Sequence, residues 1–117
     1  MGHNILHEKS KRFALRIVRL NRFLSKSKHE YVIGKQLLRC GTSIGANVTE
    51  AIYAQSTADF YAKLHIALKE AAETEYWLEL LHESGILNDK EYVSIHADLR
   101  ELLRLLTAIL KHDPKGH

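Results

Sequence analysis

The sequence predicts an all-α domain, an antiparallel up-down bundle of four amphipathic helices. Four stretches place apolar residues at the helical period. Short polar or capped breaks separate them. The single proline, Pro114, lies almost at the end of the 117 residues, so nothing interrupts a long helix before it. Hydrophobic residues make up 45% of the chain, which excludes a disordered polymer.

The first helix is expected over about residues 7–25, with Leu6, Phe13, Ile17, Leu20 and Leu24 on one face. Ser25-Lys26-Ser27-Lys28 then reads as a turn. The second runs over about 30–54 on Ile33, Leu37, Cys40, Ile44, Val48 and Ala51. Gly34, Gly41 and Gly45 share one flank of it. Each costs up to about 1 kcal/mol against alanine in a helix, so a neighbouring backbone should approach there; functional flexibility is the alternative. Ser56 is an N-cap for the third helix, over about 57–84, with Asp59 as its acidic partner and Gly85 as the left-handed stop. Asn88 with Glu91 repeats the capping pattern and opens the fourth, over about 89–112. Tyr92, Ile95, Leu99, Leu102, Leu106 and Ile109 form its seam, and Pro114 with Gly116 ends it. Short loops make consecutive helices antiparallel neighbours in one domain spanning 1–117.

The third helix is apolar almost all round. Ile66 and Leu80 lie opposite Phe60 and Leu64, with Trp77 and Leu81 on the flanks. A helix buried on one side should show a polar back. Ile66, Trp77, Leu80 and Leu81 are therefore expected to meet a second subunit, unless the neighbouring helices wrap them.

Charge is unevenly distributed. Residues 1–40 hold ten Lys or Arg against two Asp or Glu, and residues 41–100 hold four against ten. Lys9, Arg12, Arg16, Arg19 and Lys26 line one face of the first helix, with Arg22 at its edge, at a pitch that can follow a phosphate backbone. Either this face meets an anionic ligand such as RNA or DNA, or it pairs with the acidic third helix. Phe23 is the lone aromatic near it, so base stacking has little support.

The second helix also carries a polar stripe of Gln36, Arg39, Ser43, Asn47 and Glu50. Three readings stay open: a satisfied network between helices or subunits, a ligand or nucleic-acid surface, and a solvated face. One carboxylate without a histidine or activated nucleophile does not make a catalytic set. The histidines His3, His7, His29, His65, His82, His96, His112 and His117 lack accompanying ligands at metal spacing. Glu75, inside an apolar stripe, should find a basic side chain or a backbone donor. No phosphate-binding glycine loop or nucleophile elbow is present. The sequence thus points to a non-enzymatic protein with no cofactor and no metal.

The string Gln36-Leu37-Leu38-Arg39-Cys40-Gly41-Thr42-Ser43-Ile44-Gly45-Ala46-Asn47-Val48-Thr49-Glu50-Ala51 resembles the signature of the bacterial four-helix bundle proteins encoded in intervening sequences of 23S ribosomal RNA genes. Asp59-Phe60, Lys63-Leu64, Ile66-Ala67-Leu68-Lys69-Glu70-Ala71, Glu73-Thr74 and Tyr76-Trp77-Leu78 continue the likeness. The resemblance implies a four-helix bundle assembling into a ring-like homopentamer, with no established enzymatic activity. It includes accessory proteins of diversity-generating retroelements, which bind nucleic acid and a reverse transcriptase.

The expectation is a homo-oligomeric RNA- or DNA-associated scaffold using its basic first helix. The alternative is a protein-interaction adaptor, such as a reverse-transcriptase accessory subunit. A single cysteine, no signal-peptide core within Met1 to Glu8, and no apolar run of about 18 residues point to a cytoplasmic protein that does not enter a membrane.

Overall fold

The computed structural model describes residues 2–115, with side chains from Asn4 onward. Gly116, expected to help end the last helix, and the side chains of His3 and His117 lie outside the described residues. Four helices account for the fold: α1 (Gly2–Ser27), α2 (Val32–Ile52), α3 (Thr57–Glu83) and α4 (Asp89–Leu110).

α1 starts before the expected His7, because Leu6 is already packed into the core and its turn continues the helix. It also continues to Ser27, through most of the expected Ser25–Lys28 turn. The chain reverses after it: the amides of Lys28 and Glu30 both donate to the Leu24 carbonyl, at 3.2 and 2.9 Å, and His29 takes φ 52°. No glycine marks this left-handed position, so sequence pattern places the turn too early. α2 then begins at Val32. Its N-cap residue, Tyr31, supplies no side-chain cap, and Glu30 Oε1 instead accepts from the Gly34 amide at 2.9 Å.

The Ser56 hydroxyl accepts from the Asp59 amide at 3.0 Å to start α3. Gly85, at φ 84°, ends it. There Ile86 donates to the Leu81 carbonyl and Gly85 to that of His82, the paired bonds of a glycine-terminated helix. At α4 the reciprocal box is complete: Asn88 Oδ1 accepts from the Glu91 amide at 2.8 Å, and Glu91 Oε1 from the Asn88 amide at 3.3 Å.

The helices pack as a bundle 44 × 21 × 20 Å, in which each touches two others. α2 packs closely on α1 and α3, α4 closes the square, and α1 and α4 share the sparsest contact. α1 and α3 lie on a diagonal, and among the described residues no ion pair joins the basic first helix to the acidic third. Phe13, Ile17, Leu37, Ile44, Leu64, Leu78, Leu99 and Leu102 fill the axis.

The glycines of α2 face α1. A Cβ at Gly41 would lie 2.8 Å from Ile17 Cγ1, one at Gly34 3.0 Å from Asn21 Oδ1, and one at Gly45 3.4 Å from the Ser10 carbonyl oxygen. Close approach explains them, against side chains at two positions and backbone at the third. Leu81 is fully buried in the chain's own core, which corrects its expected place at a subunit contact. Ile66 and Tyr76 stay open at 40% and 52% exposure, while Trp77 and Leu80 are half-buried.

Candidate functional site

The basic row divides into two parts. Towards the start of α1, each cation of this row has an acid, whereas Lys11, off the row, makes no ion pair with any described residue. Lys9 Nζ lies 3.1 Å from Glu101 Oε2, and Arg12 Nη2 lies 2.7 Å from Glu8 Oε1. Arg16 Nη1 lies 2.8 Å from Asp98 Oδ2 and also donates to the Ser94 carbonyl, while its Nη2 donates to Ser94 Oγ at 3.1 Å. Lys9 and Arg16 thus tie α1 to α4. Towards the end of α1, Arg19, Arg22 and Lys26 are exposed and make no ion pair with any described residue. Lys28 Nζ sits 5.8 Å from the Phe23 ring centroid. Within the row, the uncompensated charge is concentrated towards the end of the helix, at Arg19, Arg22 and Lys26.

The polar stripe of α2 is a seam to α3. Arg39 donates to Gln36 Oε1 through Nε and Nη2, lies 3.4 Å from Glu70 Oε1 through Nη1, and pairs with Glu73. Trp77 Nε1 donates to the same Glu73 Oε2 at 2.9 Å. Glu50 pairs with Lys63 Nζ at 3.0 Å, and that carboxylate holds the lysine's pKa above its usual range. Asn47 Nδ2 donates to the Ser43 carbonyl on its own helix. Arg39 and Glu50 therefore each find a partner on α3 rather than each other. Within one chain the stripe is not a buried network: the Arg39 side chain is 50% exposed.

Glu75 meets His96, whose Nε2 lies 2.8 Å from Glu75 Oε2. The His96 ring stacks on Tyr92, and Tyr92 on His82, tying α3 to α4. Among the described residues no three His, Cys, Asp or Glu side chains converge as metal ligands would. No helix of the described residues is long and apolar enough to cross a membrane.

A cleft of about 650 Å³ opens between the end of α1 and the start of α4. Arg16, Arg19, Leu20 and Phe23 line one wall; Leu87, Asn88, Lys90, Glu91, Ser94 and Ile95 line the other. Lys90, which faces the α1 row, escapes sequence reasoning. The capping pattern locates the start of α4 but not the helix it lies beside.

The model of one protein family, the 23S rRNA-intervening sequence proteins, matches residues 3–108. The chain belongs to that family. It is also similar to a protein of unknown function from the S23 ribosomal protein family of Bacteroides thetaiotaomicron VPI-5482, known from a crystal structure. The two are 53% identical, covering 95% of this chain and 99% of that one, with a TM-score of 0.93. No curated protein matches. Membership in the 23S rRNA-intervening sequence family agrees with the four-helix architecture.

Proposed function

We propose that this family member is a non-enzymatic, homo-oligomeric nucleic-acid-binding scaffold of the cytoplasm, with RNA as its ligand, and that its subunits form a ring of five. One observation carries the reading. Arg19, Arg22 and Lys26 project from consecutive turns of α1 with no acidic partner among the described residues. Uncompensated cations at helical pitch suit a phosphate backbone, and each phosphate neutralised releases counterions. The outward Ile66 and Tyr76 of α3 support self-association.

Titration of the protein with RNA, single-stranded DNA and duplex DNA at several salt concentrations tests this. Log affinity should fall with log salt by about 0.7 to 0.9 per phosphate contact. Changing Arg19, Arg22 and Lys26 together to Glu should abolish binding with the helical content intact. Binding that survives the triple change, or a parent that binds none of the three at low salt, rejects the proposal. The basic face would then be assigned to an acidic protein partner, such as a reverse transcriptase.

A further inference from the structure

The cleft between α1 and α4 differs chemically from the rest of the basic face. Arg19 and Lys90 stand at its opposite walls, and neither makes an ion pair with a described residue. Between them the lining includes Leu20, Phe23, Leu87 and Ile95. Phe23 and Leu20 are only partly buried. The Glu91 carboxylate, which also lines the cleft, is engaged by the Asn88 amide of its own helix start, and Arg16 is engaged by Asp98 and Ser94. Because the capping box occupies the α4 terminus, the side-chain cations supply the positive charge. At about 650 Å³ the cleft has the size of a small-ligand pocket.

An apolar, aromatic-bearing lining flanked by two unpaired cations matches one chemical unit, a flat base joined to a phosphate. We infer that this cleft takes one unstacked nucleotide of a single-stranded nucleic acid, with its base against Phe23 and Leu20 and its phosphate between Arg19 and Lys90. The inference rests on the nucleic-acid reading above and adds strand selectivity to it. A paired base in a duplex is stacked on its neighbours and cannot enter. The α1 row alone would bind either form through its phosphates.

The test is fluorescence anisotropy with a labelled oligouridylate strand and an RNA duplex of equal length, at low and moderate salt. The parent should prefer the single strand. Phe23→Leu should lose about tenfold in single-strand affinity, the order of one base–aromatic stack, and leave duplex binding unchanged. Lys90→Glu changes an exposed residue outside the core, so it keeps the fold even if Phe23→Leu does not. It should weaken the single strand more than the duplex. If the parent binds both forms equally and neither variant shifts the ratio, the cleft is not a nucleotide site, while the nucleic-acid reading stands. If the parent binds neither form, that reading falls and the inference falls with it. Competition by free uridine monophosphate as effective as that by the strand would reassign the cleft to a small ligand and overturn the inference.

Discussion

Cys40 and Thr74 form a polar pair inside the apolar seam between α2 and α3. Thr74 Oγ1 lies 2.7 Å from the Glu70 carbonyl oxygen and 3.2 Å from Cys40 Sγ. Burial pushes the Cys40 thiol up; the Thr74 hydrogen bond opposes this without cancelling it. A raised thiol pKa leaves less thiolate at any given pH, and the thiolate is the reactive form. Cys40 should therefore react with an aromatic disulfide reagent at mildly alkaline pH only as fast as the bundle opens, and at once in denaturant. Rapid stoichiometric labelling of the folded protein would contradict this. Gly41 supplies a second residue-scale prediction. Alanine there would gain up to about 1 kcal/mol of helix propensity. Its Cβ, however, would sit 2.8 Å from Ile17 Cγ1, a branched core atom with little room to move. Overpacking of that kind costs about 1–3 kcal/mol, so Gly41→Ala should lower the melting temperature. Gly34→Ala should cost less, because its nearest neighbour is the end of the Asn21 side chain. Equal melting of the two variants would show that α1 can retreat from α2.

Between elements, the sparse α1–α4 seam depends on polar ties. Arg16 bridges Ser94 and Asp98, and Lys9 reaches Glu101. These groups are partly exposed, and such pairs contribute about 0.2–1 kcal/mol each. Arg16→Ala should therefore cost about 1 kcal/mol in denaturant unfolding and speed amide exchange in α4 more than in α2. Unchanged exchange in α4 would remove Arg16 from this role. The consequence for functional tests is direct: a charge reversal that includes Arg16 perturbs the seam as well as the ligand face, whereas one at Arg19, Arg22 and Lys26 does not. The same seam marks the limit of sequence reading. Helical period and caps reveal all four helices, since Asn88–Glu91 and Ser56 are local signals. They also reveal the basic row. They do not reveal that Asp98, 82 residues beyond Arg16, neutralises it, because periodicity says which face a residue is on and not which helix it meets. The turn after α1 is missed for a related reason. His29 adopts the left-handed conformation without the glycine that would announce it.

For the whole molecule, the proposed assembly rests on the outer face of α3. Ile66, Trp77 and Leu80 fall within one band by helical spacing, with Tyr76 at its edge. Ile66 and Tyr76 are exposed, while Trp77 packs against the core and Tyr76 and is linked through its indole N–H to Glu73, which pairs with Arg39. Exposed apolar groups of this kind suit a subunit contact, and a second copy of the chain would offer the same groups in return. Light scattering should thus give a mass several times 13.4 kDa. Ile66→Asp places a charge in the band and should shift the mass towards the monomer with helical content retained. The coupling to ligand binding follows. One subunit presents Arg19, Arg22 and Lys26 in a short row, which supports only a few phosphate contacts and a shallow salt dependence. The proposed closed assembly would repeat the row, so that linked weak contacts would act together and affinity would rise without any new contact. Ile66→Asp should therefore weaken RNA binding and flatten its salt slope, although the substitution lies on α3 and the basic row on α1. A monomeric variant that binds as tightly and as salt-dependently as the parent would separate binding from assembly, and the row on a single subunit would have to account for the whole affinity.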